Sequence, residues 1–229
     1  MPKTLASRVE VTARVEDYAK AIYAIEGREG SASTNALAER LGVRAPTVTA
    51  MLKHLNKLGL VVYERYRGVR LTKAGRKVAL EVMRHHRLLE LYLAESLGLG
   101  WDQVHAEAEV LEHVLSEELE EVIAARLGDP TLDPHGDPIP TRELALPEAK
   151  SECLYALEPG ARGTFIRVSD SDPEMLRFLA GRGIAPGAGF ELIDKQPFEG
   201  PVFVRFGDEE HVLGATLARA MRVTTKKKR

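Results

Sequence analysis

Apolar side chains recur at helical spacing through the first third of the chain. Val15, Tyr18, Ala19, Ile22 and Ile25 mark one amphipathic helix over residues 15–27, closed near Gly27. Thr34 is placed to cap a short helix over 35–41, with Ala36, Leu37 and Leu41 inward and Gly42 as its breaker. Pro46 suits the first turn of a further helix reaching residue 58. There Val48, Leu52, Leu55 and Leu58 form the buried stripe, while Arg44, Thr47, Thr49, Lys53, His54 and Lys57 face outward. After Gly59 the pattern changes to two short β-favouring runs, 60–66 and 69–72, joined at Arg67-Gly68. Helix, short turn, helix and basic hairpin predict a winged helix-turn-helix.

The middle of the chain is helical again. Thr72 can cap a long helix to about residue 97, Asp102 a second to about 115, and Ser116 a third ending at Gly128. Their apolar set (Val78, Val82, Leu88, Leu89, Leu91, Leu93, Leu111, Leu119, Ile123) exceeds what a small reader domain covers, which predicts a two-fold partner. Residues 129–147, rich in proline, glycine and aspartate, read as an ordered linker. Beyond it, 160–168, 189–194 and 202–206 predict strands, 173–181 a helix, and 211–220 a last strand and turn. Together they suggest a small β-barrel. The fold class is therefore mainly α with a small β portion.

Composition narrows the class. At 44% apolar and 29% charged residues the chain is an ordinary globular protein, and no apolar run approaches the ~20 residues that span a bilayer. One cysteine, Cys153, excludes an internal disulfide framework, and the N-terminus lacks a signal-peptide core. The cytoplasm is the expected compartment. The net charge of −2 conceals a division: residues 1–80 carry 15 Lys and Arg against 7 Asp and Glu, whereas residues 81–158 carry 5 against 18. The basic third points to a polyanion. Arg44, Pro46, Thr47, Thr49 and Lys53 on the second reading helix, with Arg65, Arg67 and Arg70 on the hairpin, are the candidate DNA contacts. Lys226-Lys227-Lys228-Arg229 adds a basic tail with nonspecific phosphate affinity.

The acidic block holds ligand-type residues. His105, Glu109, Glu112 and His113 fall within an arc of about 100° on one continuous helix, and His86 and Glu90 share a face four residues apart. Such a set either binds a divalent metal or forms His–Glu pairs on a wet helix surface. His85 is expected to face solvent and Glu107 to be a surface charge. No HExxH, phosphate-binding loop or recognisable nucleophile argues for catalysis.

These residues, taken in order, resemble the diphtheria-toxin-repressor family of metal-dependent transcriptional regulators, in its manganese-responsive branch. The matching segments are Glu16-Asp17-Tyr18, Ala45-Pro46-Thr47-Val48-Thr49, Met83-Arg84-His85-His86-Arg87, Val104 to Glu109, Glu112-His113-Val114 and Pro134 to Pro140. The resemblance implies a DNA-binding domain over 1–74, a helical metal-binding and dimerisation domain over 75–146, and an SH3-like, FeoA-like C-terminal domain over 147–229. It implies a primary metal site of Asp17, Glu109, Glu112 and His113 and an ancillary site of His86, Glu90 and His105, with Asp172 and Glu174 as weaker candidates from the C-terminal domain. Iron-responsive relatives hold methionine and cysteine where this chain has Asp17 and Glu109. Carboxylates there favour Mn(II), with Fe(II) the alternative. Lys20 stands where regulators with a two-metal cluster carry an acid, so two separated sites are expected. The implied protein is a homodimeric repressor of a pseudo-palindromic operator, with no membrane or small organic substrate. The competing readings are a winged-helix regulator answering an organic ligand and a metal-dependent hydrolase.

Overall fold

The structure, a computed structural model, describes residues 12–64, 67–147, 150–169 and 172–225. The chain divides into two compact units. The first runs to His85 and takes in Glu112–Val114 and Pro140–Ala145. The second comprises His86–Leu111, Leu115–Ile139 and the chain from Leu146 onward.

The first unit opens with α1 (Ala13–Glu29), longer at both ends than its apolar periodicity and closed by Gly30 in the left-handed region. Ser33, one residue before the expected Thr34, caps α2 (Thr34–Arg40) by accepting from the Ala36 amide at 3.1 Å. The turn at Gly42 leads into α3 (Ala45–Lys57), with Pro46 in its first turn. Strands β1 (Val61–Glu64) and β2 (Gly68–Leu71) pair antiparallel as the wing. Ile22, Leu37, Val48, Leu52, Leu55 and Val69 are wholly buried together. At about 1.5–3 kcal/mol for each fully buried large aliphatic, this core fixes α3 against α1 and leaves its polar face outward. Thr72 starts the long helix α4 (Lys73–Leu97), its hydroxyl accepting from the Gly75 amide and donating to the Gly59 carbonyl. A Cβ on Gly75 would lie 2.0 Å from the Leu60 carbonyl oxygen, so only glycine allows helix and wing to meet there.

The second unit holds the rest of α4, then α5 (Val104–Leu111) and α6 (Glu117–Arg126), around Leu88, Leu89, Leu91, Ala108, Ile123, Ala124 and Ile139. Contrary to the expectation of an unburied stripe, Val82, Leu88, Leu89, Leu91, Leu93 and Ile123 are covered by the chain itself. Leu111 and Leu119 of the expected set remain exposed, as do Val110 on α5, Val122 on α6 and Leu97 at the end of α4.

Strands β3 (Glu152–Cys153), β4 (Arg162–Val168), β5 (Gly189–Lys195), β6 (Val202–Phe206), β7 (Glu209–Leu213) and β8 (Met221–Thr225) form one antiparallel sheet in the order β3-β8-β4-β5-β6-β7. Helices α7 (Pro173–Ala180) and α8 (Ala215–Ala220) accompany it. Register shifts at Phe165/Arg167 and Leu192/Asp194 mark bulges where such a sheet bends. The span expected as strand and turn over 211–220 is the end of β7 followed by α8, and β8 beyond it completes the sheet. The 129–139 segment packs against this sheet: the Val168 amide donates to the His135 carbonyl at 3.1 Å. Gly136, at φ 85°, brings its backbone so close to Ile166 that a Cβ would sit 1.8 Å from that carbonyl oxygen. Among the described residues no helix is long and apolar enough to cross a membrane.

Candidate metal centre

In the first unit, α1 presents Glu16, Asp17 and Lys20 to the turn formed by Glu112–Val114. His113 Nδ1 lies 2.6 Å from Glu16 Oε2. A carboxylate oxygen accepts, so Nδ1 donates to Glu16 and the ring's other nitrogen, Nε2, is turned toward the remaining carboxylates. Nε2 stands 3.1 Å from Asp17 Oδ1 and 3.5 Å from Glu112 Oε1. One ligand atom from each of Asp17, Glu112 and His113 lies within 4.8 Å of the others. Glu112 is wholly buried as a side chain, and Lys20 Nζ reaches its Oε1 at 2.7 Å. His85 Nδ1, 3.1 Å from the Glu112 carbonyl oxygen, holds the turn in place.

The second unit contains two further groupings. On α4 and α5, His86 Nε2 and His105 Nδ1 approach each other to 3.1 Å and both meet Glu90 Oε1, at 2.9 and 3.1 Å. Glu109 Oε1 completes this set at 3.9 Å from each imidazole. Burial alone would raise the Glu90 carboxyl, but hydrogen bonds from His105, His135 and His86 outweigh it and hold the group well below the usual carboxylate range.

Behind Glu90 lie Asp133 and His135, both buried. Burial, together with the Asp137 and Glu90 charges, raises Asp133 to about 7. Burial works against a charged His135, yet Glu90 and Asp133 raise it to about 9. Asp133 Oδ1 accepts from the amides of His135 and Asp137, at 2.9 and 2.8 Å, and so shapes the loop.

The donors in all three groupings are carboxylate oxygens and imidazole nitrogens. Hard oxygen with imidazole suits a first-row divalent ion, and convergence of several such lone pairs on one point is unfavourable without a cation. The residues fit a metal.

In the first unit, Arg44, Pro46, Thr47 and Lys53 are exposed along the outer side of α3. Thr49 is half-buried, with its hydroxyl donating to the Ala45 carbonyl. Arg67 is exposed and pairs with Glu64 at 3.2 Å, and Arg70 is exposed on β2. Arg65, like the basic tail at 226–229, lies outside the described residues.

Residues 10–69 match the family model described as iron dependent repressor, N-terminal DNA binding domain, and residues 72–141 match the metal binding and dimerisation domain of the same repressors. Residues 153–225 match the FeoA domain. The iron-dependent repressor IdeR of Mycobacterium tuberculosis is 34% identical over 227 residues, covering 93% of this chain and 98% of that protein. The chain belongs to the diphtheria-toxin-repressor family of metal-dependent transcriptional regulators. The diphtheria toxin repressor of Corynebacterium diphtheriae is 40% identical over 165 residues, spanning 72% of this chain and 70% of that one. Among solved structures, a manganese-dependent transcriptional repressor in complex with manganese superposes with a TM-score of 0.87 at 39% identity, covering 93% of this chain and all of that one. ScaR with bound zinc superposes at 0.79 with 28% identity, covering 93% and 99%. The repressor thus joins a DNA-binding module, a metal-binding and dimerisation module and an SH3-like FeoA module, and its family consists of DNA-binding regulators rather than enzymes.

The repressor's expected ligands are distributed differently from the single arc read along residues 105–113. Helix α5 ends at Leu111, so Glu112 and His113 leave the helical face and gather with Asp17, whereas Glu109 groups with His86 and His105. His85 is buried against Glu112, not solvent-facing, while Glu107 is exposed as expected. Asp172 caps α7, accepting from the Glu174 amide at 2.9 Å, and Glu174 is exposed. Among the described residues neither enters a metal-type grouping. Sequence reasoning missed Glu16 as the partner of His113 and missed Asp133 and His135 altogether. Glu16 carried a signal in hindsight, being adjacent to Asp17 on α1. The other two sit in a loop with no periodicity to expose them.

Proposed function

We propose that this repressor is activated for operator binding by Mn(II), with Fe(II) as the alternative ion. The primary ligands are Asp17, Glu112 and His113, and the ancillary set is His86, Glu90, His105 and Glu109. The observation that carries this reading is the orientation of His113: Glu16 takes the Nδ1 hydrogen and turns Nε2 toward two carboxylates at 3.1 and 3.5 Å. A carboxylate behind a histidine is the arrangement that orients metal ligands. The all-oxygen-and-nitrogen donor set, free of sulfur, favours a hard ion such as Mn(II).

A bound divalent ion supplies the positive charge that lets Asp17 and Glu112 share one point with His113. The chain's own residues convert that into control of DNA. Asp17 is on α1, whose apolar face shares a core with α2 and α3, so fixing its carboxylate fixes the recognition helix. Glu112 and His113 follow α5 directly and lie in the turn before α6, within the dimerisation module. The tie therefore holds α1 of the reader to the turn that joins α5 and α6. Coupling of this kind is typically worth ~1–3 kcal/mol, and DNA must tighten metal binding by the same factor.

A homodimer follows from the dimerisation module, and the exposed Val110, Leu119 and Val122 are the side chains a two-fold partner would cover. Two reading helices related by that axis call for a pseudo-palindromic operator. Arg44, Pro46, Thr47, Thr49 and Lys53 would meet the major groove, and Arg65, Arg67 and Arg70 the backbone beside it. Domain limits of 1–74, 75–146 and 147–229 and a cytoplasmic site of action complete the proposal.

The test compares wild type and Asp17→Ala on genomic operator fragments at one fixed salt concentration, with chelator, with Mn(II) and with Fe(II) under anaerobic conditions. Wild type should gain affinity with metal, and Asp17→Ala should keep only the weak metal-independent affinity. Full metal dependence in Asp17→Ala would overturn the assignment. A greater gain with Fe(II) than with Mn(II) would replace the ion.

A further inference from the structure

We infer that the C-terminal module carries a self-association surface of its own, a head-to-tail contact in which Phe198 of one copy enters a glycine-lined cleft on another. Phe198 and the cleft lie at opposite ends of the β5–β6 hairpin. Phe198 follows the last paired residues, Lys195 and Val202, whereas Gly189 opens β5 and Gly207 follows β6. The seven residues of β5 separate the two by about 20 Å, so Phe198 cannot reach the cleft of its own domain.

Phe198 is 100% exposed. With Glu199 it occupies the centre of the Pro197–Gly200 turn, at φ 57° and 58°. Two left-handed residues in succession suit Asn-Gly, and side chains such as phenylalanine take that conformation at a cost. The Gly200 amide donates to the Pro197 carbonyl at 3.1 Å, and the Gln196 amide to the Pro201 carbonyl at 3.0 Å. Tyr155 braces the turn: its hydroxyl donates to the Gly200 carbonyl at 3.2 Å, and its ring carries Lys195 Nζ at 4.6 Å and Arg219 Cζ at 4.7 Å. Arg219 in turn holds Glu199 at 2.6 Å. The ring is thus displayed on a fixed support, which lowers the ordering cost of docking. A turn that only reversed the chain would need neither the strained backbone nor the bare ring.

The cleft encloses about 500 Å³ and is lined by Gly163, Gly189, Gly207 and Phe190 with Arg162, Glu191 and Arg205. Packing dictates two of these glycines. A Cβ on Gly163 would lie 1.8 Å from the Thr224 carbonyl oxygen, and Gly207 has φ 59°. Gly189 is under no such demand: its φ lies outside the left-handed region, and a Cβ there would meet only the Gly163 carbonyl oxygen, at 3.9 Å. The missing side chain at 189 serves the opening rather than the sheet.

The two surfaces match in chemistry. The Phe198 ring would lie against Phe190 and bare glycine backbone, flanked by guanidiniums that attract an aromatic face. Glu199 would follow it to the arginines, where two cations stand against the single carboxylate of Glu191 in the lining. Arg162, 68% exposed, meets Glu191 through Nη2 at 2.6 Å, which leaves other donors of its fork for a second carboxylate. Arg205 is shared between Glu191 and Glu210, at 3.1 and 2.5 Å, and offers chiefly its flat face. Because knob and cleft are different surfaces, the contact is heterologous and joins copies in an open row rather than a closed pair. The dimerisation module supplies a separate two-fold, so each dimer presents two knobs and two clefts, and dimers on neighbouring DNA sites would bind cooperatively.

The experiment is sedimentation velocity of the full-length, Mn(II)-loaded protein over a concentration series. It compares wild type, Phe198→Ala, Gly189→Leu and an equal mixture of the two variants. Wild type should form species heavier than the dimer as concentration rises. Each variant alone should associate at least about tenfold more weakly, the effect of losing an aromatic anchor or its pocket. The mixture should regain association, because Phe198→Ala keeps the cleft and Gly189→Leu keeps the knob. Phe198 is fully exposed, so its replacement leaves the fold intact. Should Gly189→Leu fold poorly, Arg162→Glu, which sets a carboxylate against the incoming Glu199, takes its place. Wild type that stays at one dimer mass to millimolar concentration, variants that associate as wild type does, or a mixture that regains nothing would each overturn the inference.

Discussion

Lys20 occupies the metal's electrostatic role before any metal arrives. Its ammonium is 2.7 Å from Glu112 Oε1, with the carboxylate side chain wholly buried and the lysine only 20% exposed. The bare attraction at that separation is about 6 kcal/mol for an effective dielectric of about 20. Most of it offsets the cost of removing both charges from water, and a hydrogen bond to a charged group retains about 1.5–3 kcal/mol net. An ion entering between Asp17, Glu112 and His113 must take Glu112 from Lys20 and forgo that amount.

Lys20→Met should therefore tighten Mn(II) binding at this site by about tenfold to a hundredfold, at 1.4 kcal/mol per decade. The same change leaves Glu112 buried without its partner in the metal-free protein. At about 2–4 °C per kcal/mol for a chain of this size, the metal-free melting temperature should fall by about 3–12 °C, and saturating Mn(II) should restore it. Calorimetric titration of chelator-stripped protein measures the first effect and thermal melts with and without Mn(II) the second. Lys20→Arg, which keeps the charge, should stay close to wild type in both. If Lys20→Met binds Mn(II) no more tightly than wild type and melts at the same temperature without metal, Lys20 does not compete for Glu112 and the reasoning is refuted.

The other expectations are read by separate assays. Glu16→Gln cannot accept the His113 hydrogen as an ionised group and should weaken Mn(II) binding at the Asp17 site by about 10–100-fold in calorimetry, leaving the ancillary site alone. Lys53→Ala removes an exposed cation from the outer face of α3. It should weaken binding to all DNA sequences similarly and lower the salt dependence of the binding constant by about 0.9 in log–log slope, measured by fluorescence anisotropy. Leu119→Glu and Val122→Glu, both on the exposed apolar face of α6, should shift the protein toward monomer in light scattering with Mn(II) present. An unchanged dimer would place the interface elsewhere.

The reading module was legible because its determinants are local. Periodicity in α1 and α3, the turn at Gly42, Pro46 in the first turn and the alternation in β1 and β2 each involve residues within a few positions of one another. Even there a cap was misplaced by one residue, since Ser33 and Thr34 offer the same chemistry. β8 was not legible, because its strand character comes from pairing with β3 and β4, some 60–70 residues earlier. The end of α5 failed for a tertiary reason. The local pattern supports helix through residue 115, but His85 takes up the Glu112 carbonyl and Lys20 its buried carboxylate, and these contacts outweigh propensity. That one early ending sorts four ligands of the expected arc into two groups, His105 with Glu109 and Glu112 with His113.

The linker teaches the converse. A stretch rich in proline, glycine and aspartate normally runs over the surface, where water satisfies its backbone. Here Asp133, His135, Gly136 and Pro138 are buried, so the chain must supply partners that water would have supplied. Asp133 accepts from two loop amides, the Val168 amide takes the His135 carbonyl, and the Trp101 carbonyl takes the His135 ring hydrogen. Each of these bonds is structural, yet together they hold the His135 ring with its Nδ1 3.6 Å from Glu90 Oε2. A loop buried for packing thereby brings ionisable groups against α4, and only the fold could reveal it.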